Sequence, residues 1–127
     1  MRAAVIAGTV YFAAVFLIGF LVGTVRVLLV APRLGDVGAV LLETPVVVAA
    51  SWILARRSVR RFAAPRGFGP RATMGAVAFA LLMTAELAVS MFAFGRTPGE
   101  HLAIYGTPAG AIGLAAQLVF AVLPMAA

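Results

Sequence analysis

The chain has 127 residues, of which 64% are hydrophobic and only 11% charged, and its formal net charge is +6. A soluble domain carries roughly a quarter charged residues, so this composition predicts a protein whose surface faces lipid. Cysteine and lysine are absent, which excludes disulfides, thiol catalysis and a lysine Schiff base. The single histidine cannot supply both axial ligands of a bis-histidine haem, and neither a cofactor nor a metal is predicted.

The first apolar segment predicts a transmembrane helix over about residues 3–30, interrupted only by Arg26. It exceeds the ~20 residues that span a bilayer and is too long for the apolar region of a signal peptide, so we expect it to be retained. Pro32, Gly35 and Asp36 follow it. Proline and glycine both break helices, and this cluster therefore predicts a tight turn.

The second helix is predicted over about residues 37–61, with a kink at Pro45, because proline removes a backbone hydrogen bond. Six of the ten arginines lie at its end and in the loop that follows, where Gly67, Gly69, Pro70 and Pro65 predict irregular structure. The helical part of the cluster is expected to contact anionic lipid, and consists of Arg56, Arg57, Arg60 and Arg61. A nucleic-acid partner is not predicted, because no aromatic stacking platform accompanies these charges.

Two further helices are predicted over about residues 72–94 and 102–123, with His101 as a solvated residue of the loop between them. The fold class is therefore an all-α membrane protein: one domain over residues 1–127, with four transmembrane helices in two antiparallel hairpins. Cytoplasmic loops of inner-membrane proteins are rich in arginine. The arginine-rich loop thus predicts that both termini are cytoplasmic and that the protein lies in a bacterial inner membrane.

Small residues four apart let membrane helices approach closely. Two such glycine pairs are present, Gly19 with Gly23 in the first segment and Gly106 with Gly110 in the fourth. These four glycines are predicted to lie at helix–helix contacts.

Three ionisable residues lie inside the apolar segments. Arg26 and Glu43 are equally far from the predicted turn, so an antiparallel hairpin places them at one level and predicts an ion pair. Glu86 lies deep in the third segment, where a titratable carboxyl group is typical of proton or cation coupling. The alternative is that these groups, with polar residues such as Ser90 and Gln117, only hold the helices together.

The segments 23–28, 31–35 and 42–45, followed by the arginines of 56–61, resemble a group of small, uncharacterised inner-membrane proteins of Gram-negative bacteria. The resemblance covers about the first half of the chain. It implies a four-helix inner-membrane topology and draws attention to Arg26 and Glu43, but it implies no activity.

No nucleophile–base pair, metal-ligand spacing or phosphate loop is present, and an enzyme is not predicted. We expect a non-catalytic accessory or structural subunit that associates with itself or with a larger membrane complex. Four short helices are expected to enclose too little volume for a sizeable ligand site without a second copy. One alternative is a homodimeric transporter coupled to protons or cations through Glu86 and Glu43. The other is a module that binds anionic lipid.

Overall fold

The structure, a computed structural model, describes residues 2–62 and 66–127 and is all-α over these ranges. Its helices are α1 (Arg2–Val25), a π-helical turn (Arg26–Val30), α2 (Ala31–Arg61), α3 (Phe68–Phe94), α4 (Pro98–Ile104) and α5 (Pro108–Ala126). Three stretches of the described residues are long and apolar enough to cross a membrane: Arg2–Arg61, Phe68–Phe94 and Pro108–Ala126.

The first of these stretches is 60 residues long and reverses its direction at Gly35. Gly35 has φ 77° and ψ 170°, a conformation that residues with a Cβ rarely adopt, and the chain is helical on both sides of it. Arg26 and Glu43 touch across the reversal, whereas in a straight helix they would be about 25 Å apart. The turn predicted from Pro32 to Asp36 is thus a single-residue break, and α2 begins at Ala31. Pro45 lies farther along, inside the helical part of α2.

Two predicted boundaries differ from the structure. Helix α3 begins at Phe68, so Gly69 and Pro70 belong to a helix rather than to the predicted loop, while Pro65 lies outside the described residues. The segment predicted as one helix over 102–123 is divided between α4 and α5.

The division follows from two Thr-Pro pairs, each of which begins a helix. The Thr97 hydroxyl accepts a hydrogen bond from the Glu100 N–H, and the Glu100 carboxylate accepts one from the Thr97 N–H, so α4 starts with a capping box. The bond from the Thr97 N–H lowers the pKa of the Glu100 carboxyl group. Thr107 caps α5 in the same way through the Gly110 N–H, and Pro108 supplies a preset helical φ.

The long helices pack in a ring in which α1 contacts α2 and α3, and α5 contacts the same two neighbours. Near the arginine-rich end, Gly8 of α1 lies against Met74 of α3, and the Arg71 guanidinium of α3 donates to the Pro124 carbonyl oxygen of α5. The start of α1, the end of α2, the start of α3 and the end of α5 therefore lie at one end of the bundle. The Gly35 reversal and α4 lie at the other.

The apolar core fills the half of the bundle nearer the arginines. Its largest members are Tyr11, Met74 and Phe120, surrounded by small residues such as Ala55 and Ala78. The Tyr11 ring stacks on the Phe120 ring at 4.4 Å between centroids, and its hydroxyl donates to the Phe120 carbonyl oxygen at 2.6 Å. Because α5 is thereby tied to α1 across the ring of helices, this half is closed.

Two close approaches between long helices are at Gly8 and Gly75. A Cβ at Gly8 would lie 2.6 Å from the Met74 carbonyl oxygen, and a Cβ at Gly75 would overlap the Ala121 carbonyl oxygen. The glycines predicted at contacts lie elsewhere: a Cβ at Gly19 would meet nothing within 4 Å, and Gly23 lies beside the Arg26 and Glu43 side chains. The other two approach the end of α4: a Cβ at Gly106 would lie 3.3 Å from the Ala103 carbonyl oxygen, and a Cβ at Gly110 of α5 would overlap the Ile104 carbonyl oxygen.

Candidate functional site

A cavity of about 820 Å³ lies between the helices in the half of the bundle that contains the Gly35 reversal. All the helices line it, and it extends from Val15 and Phe120 at the edge of the core to the connecting segments near Arg96 and Thr107. The space is open on one side between the helices, so the expectation that one copy encloses too little volume for a sizeable ligand site stays a prediction. The polar lining residues are chiefly Arg26, Asp36, Glu43, Glu86, Arg96, His101, Tyr105 and Gln117.

One wall of the cavity carries the Arg26–Glu43 pair, which the structure brings together. Arg26 Nε lies 2.5 Å from Glu43 Oε2, although the N–H is not aligned for a hydrogen bond, and the side chains are 31% and 17% exposed. Arg26 is the first residue of the π-helical turn before the reversal, and Glu43 lies in α2. The pair neutralises two charges and joins the two arms of the hairpin.

The opposite wall carries Glu86, which is half-buried in α3 and separate from that pair. The Gln117 amide nitrogen of α5 donates to Glu86 Oε1, and the Tyr105 hydroxyl, between α4 and α5, donates to Oε2 at 3.2 Å. The Glu43 carboxylate and the His101 ring also lie within electrostatic range of Glu86. Within the described part of the chain, no arginine forms an ion pair with Glu86. The predicted pairing of Arg26 with Glu43 is thus present, and it leaves Glu86 to neutral hydrogen-bond donors.

His101 was expected to be solvated, but the structure buries it, with 9% of its surface exposed. The cause is the Thr97 cap, which starts α4 early and turns the side chain inward. The His101 ring packs edge-on against the Tyr105 ring, and Nε2 lies 3.1 Å from the Tyr105 hydroxyl oxygen. His101, Tyr105 and Glu86 therefore form a hydrogen-bonded chain along the wall. Because the Tyr105 proton is donated to Glu86, the matching arrangement has Nε2–H of His101 donating to the phenol oxygen.

Most hydroxyl groups near the site do not link helices. Thr24 and Thr84 each donate to the carbonyl oxygen four residues earlier in their own helix, whereas Ser51, in the core, does the same and also makes a hydrogen bond with the Tyr11 hydroxyl of α1. Ser90 accepts a hydrogen bond from the Arg96 guanidinium at 3.3 Å, which holds the end of α3 to the following loop. The interhelical polar contacts of the cavity are thus carried by amide, phenol and ionised side chains.

The arginines at the end of α2 lie at the opposite end of the bundle, and all four are exposed: Arg56, Arg57, Arg60 and Arg61. The Arg56 guanidinium lies 5.6 Å from the centre of the Trp52 ring, in a cation–π contact. Arg60 and Arg61 lie in the last turn of α2, where the helix dipole stabilises positive charge. None of the four lines the cavity.

Sequence reasoning missed Tyr105 as a member of the site and left Gln117 among general polar residues. A usable signal was present, because His101 and Tyr105 are four residues apart. That spacing places two side chains on one face of a helix. The signal can be used only if the Thr97 cap is recognised as the start of α4. The register of α5 against α3, which brings Gln117 to Glu86, has no signal in the sequence alone. Within the described residues, no group of three acids or histidines could hold a metal ion.

Comparisons with known proteins give no identification. No family model matches the chain, and neither the curated proteins nor the solved structures include a significant match. The resemblance to small inner-membrane proteins therefore stays a prediction. The chain is a small all-helical protein with long apolar helices, and by the length and hydropathy of those helices a multi-pass membrane protein.

Proposed function

We propose that this protein crosses a bacterial inner membrane four times, with both ends of the chain in the cytoplasm, and transports protons or small cations through its central cavity. The observation that carries the proposal is the placement of Glu86. It is a carboxylate in the cavity wall, with hydrogen-bond donors around it and without an arginine partner among the described residues.

Two features support the proposed topology. The 60-residue helical stretch doubles back at Gly35, and each arm is long enough to cross the ~30 Å hydrocarbon layer. The exposed arginines of α2 lie at the same end of the bundle as the start of α1 and the end of α5. A positively charged end is the cytoplasmic end in most inner-membrane proteins.

Single-cysteine labelling checks this topology, and the chain contains no cysteine that would have to be removed first. We expect Gly99→Cys, near α4, to react with an impermeant maleimide added to intact spheroplasts. Gly69→Cys, near the arginines, should react only after the cells are lysed. Both positions tolerate a Cβ, since the nearest atom would be 3.9 Å away at Gly99 and nothing lies within 4 Å at Gly69. Labelling of Gly69→Cys in intact cells would contradict the proposal.

The chemistry of Glu86 supports transport. An ionised carboxylate inside a membrane is costly unless a cation accompanies it, and protonation removes the same cost. Glu86 therefore has two favourable states, one protonated and one with a bound cation. Alternation between such states couples a proton to a cation. His101 and Tyr105 offer protons a hydrogen-bonded route from the connecting segments to Glu86.

The accessory-subunit hypothesis explains less of this arrangement. The hydrogen bonds from Gln117 and Tyr105 to Glu86 do link α3 to its neighbours, but a structural role does not require an ionisable group there, because Arg26–Glu43 and Tyr11–Phe120 also join the helices. One chain already brings all the polar residues of the cavity together, so the cavity is formed without residues from a second copy. The exposed arginines fit lipid contacts that orient the protein, and need not be its function.

Proton flux in liposomes tests the proposal. Glu86→Gln keeps the shape of the side chain but removes its titration, so we expect flux driven by a pH gradient to fall to the level of empty liposomes. Glu100→Gln is the matched control: it makes the same chemical change in the exposed capping box of α4, where glutamine also serves. It should retain the flux of the unmodified protein. Equal flux through Glu86→Gln and the unmodified protein would overturn the transport proposal.

A further inference from the structure

The cavity presents hydrogen-bond acceptors that the described residues leave unused. Gln117 Oε1 and His101 Nδ1 are both buried, and neither accepts a hydrogen bond from a described residue. In each side chain, the hydrogen bond made by the other polar atom identifies which atom is left unused. The Gln117 nitrogen is the atom that donates to Glu86, and His101 Nε2 is the atom beside the Tyr105 hydroxyl. The cavity wall thus combines the Glu86 carboxylate with two lining residues that each keep one unused, buried acceptor atom.

The donors of the same wall are already engaged. The Tyr105 hydroxyl and the Gln117 amide both serve the Glu86 carboxylate. Of the two guanidiniums that line the cavity, Arg26 is held in an ion pair with Glu43, although its Nε–H makes no hydrogen bond to a described residue. Arg96 lies on the Phe94 ring, 4.9 Å from its centre, with Ser90 as a hydrogen-bond partner. An anionic ligand would therefore meet Arg26 only beside the Glu43 carboxylate, which repels it.

The net charge and the apolar lining of the cavity both favour a cation that carries an apolar group. Three carboxylates and two guanidiniums line the cavity, so one negative charge remains when His101 is neutral. The rest of the wall includes the rings of Phe16, Phe20 and Phe120. These rings suit an alkyl group, or a cation that lies over the face of a ring. A bare metal ion would use the carboxylate and leave this apolar surface unused. The volume of about 820 Å³ lies within the range of small-molecule pockets.

We propose that the ligand of this cavity is a small organic cation with N–H donors, such as an alkylammonium or guanidinium compound. Its charge lies on Glu86 and its N–H groups donate to Gln117 Oε1 and His101 Nδ1. This inference rests on the proposed function and specifies the class of its substrate. Because the acceptors require donors, the site discriminates between cations of equal charge by their N–H groups.

Two isomeric probes test the inference with the full chain in nanodiscs. Butylammonium and tetramethylammonium have the same composition and charge, but only butylammonium carries N–H donors. By calorimetry at neutral pH, with protein-free nanodiscs subtracted, we expect butylammonium to bind at least tenfold more tightly than tetramethylammonium. Glu86→Gln should weaken butylammonium at least tenfold. Gln117→Met should reduce the preference for butylammonium, because it replaces the carbonyl acceptor by a thioether of similar length.

The outcomes separate this inference from the transport proposal. Equal binding of the two isomers, or no binding of either by the unmodified protein, would overturn the inference, and Glu86-dependent proton flux would still support transport. Butylammonium binding that survives Glu86→Gln would also overturn it. Selective, Glu86-dependent binding without any flux would support the inference and contradict transport. Gel filtration and helical circular dichroism of each variant show that a loss of binding is not a loss of fold.

Discussion

Replacing Gly75 by alanine is expected to lower the free energy of unfolding by about 2 kcal/mol, because the new Cβ overlaps the Ala121 carbonyl oxygen of α5. The obstacle is backbone and cannot move aside by a rotamer change. Alanine has the higher helix propensity, by about 1 kcal/mol, and overpacking costs typically 1–3 kcal/mol and sometimes more. The cost of the overlap exceeds the gain in helix propensity, because α3 and α5 must separate along the core that contains Met74 and Phe120.

Gly19→Ala is the control for this prediction. The chemical change is the same and the position is also inside a membrane helix, but a Cβ there meets nothing within 4 Å. We expect the free energy of unfolding, measured by titration with sodium dodecyl sulfate in mixed micelles, to be unchanged or to rise by up to about 1 kcal/mol. Equal destabilisation at both positions would show that the close approach of α3 and α5 is not the cause of the cost of Gly75→Ala.

The difference between Gly75 and Gly19 shows which part of the packing could be predicted. The spacing of glycines indicates that close approach is possible on one helix face, but it does not say which neighbour that face meets. Gly19 and Gly23 have the expected spacing and line the cavity, where the helices are apart. Gly75 has no glycine four residues away and lies at one of the tightest contacts. Pairing of faces depends on the whole bundle, so local spacing cannot supply it.

Helix positions and the first hairpin were better determined by the sequence. Lipid requires long apolar helices with satisfied backbone groups, so hydropathy locates them within a few residues. The depth argument for Arg26 and Glu43 also matched the structure, because a short turn fixes the register of both arms. The same argument fails for Glu86 and Gln117, whose helices are joined through α4 and two capped starts. Each additional cap changes the register by an amount that composition does not reveal.

The cavity itself was not predictable from composition. It exists because α4 is tucked against the end of α3, which buries His101 and brings Tyr105 to Glu86. That arrangement follows from Thr97, whose capping box starts a helix that hydropathy assigns to a loop. A polar capping signal of modest energy thus decides where three functional side chains meet. Capping motifs are as informative as hydropathy at the ends of membrane helices.

Arg26→Met is the second change with a large expected effect. It keeps most of the side-chain length but leaves the Glu43 carboxylate without its partner, at a position where that side chain is only 17% exposed. Removing one member of a buried pair typically costs 3–5 kcal/mol, and the partial exposure of Arg26 places our expectation at about 3 kcal/mol. The measurement is the same detergent titration at neutral pH.

A double-mutant cycle separates pairing from the loss of the arginine side chain itself. Glu43→Gln removes the acid, and Arg26→Met with Glu43→Gln removes both charges, which should recover at least half of the destabilisation caused by Arg26→Met alone. Such recovery arises because an uncharged pair has no desolvation cost to offset. If the two single effects simply add in the double variant, the contact does not hold the hairpin together. The hairpin would then depend on Gly35 and the apolar packing of α1 on α2, and the ion pair would have to be explained by its place in the cavity wall.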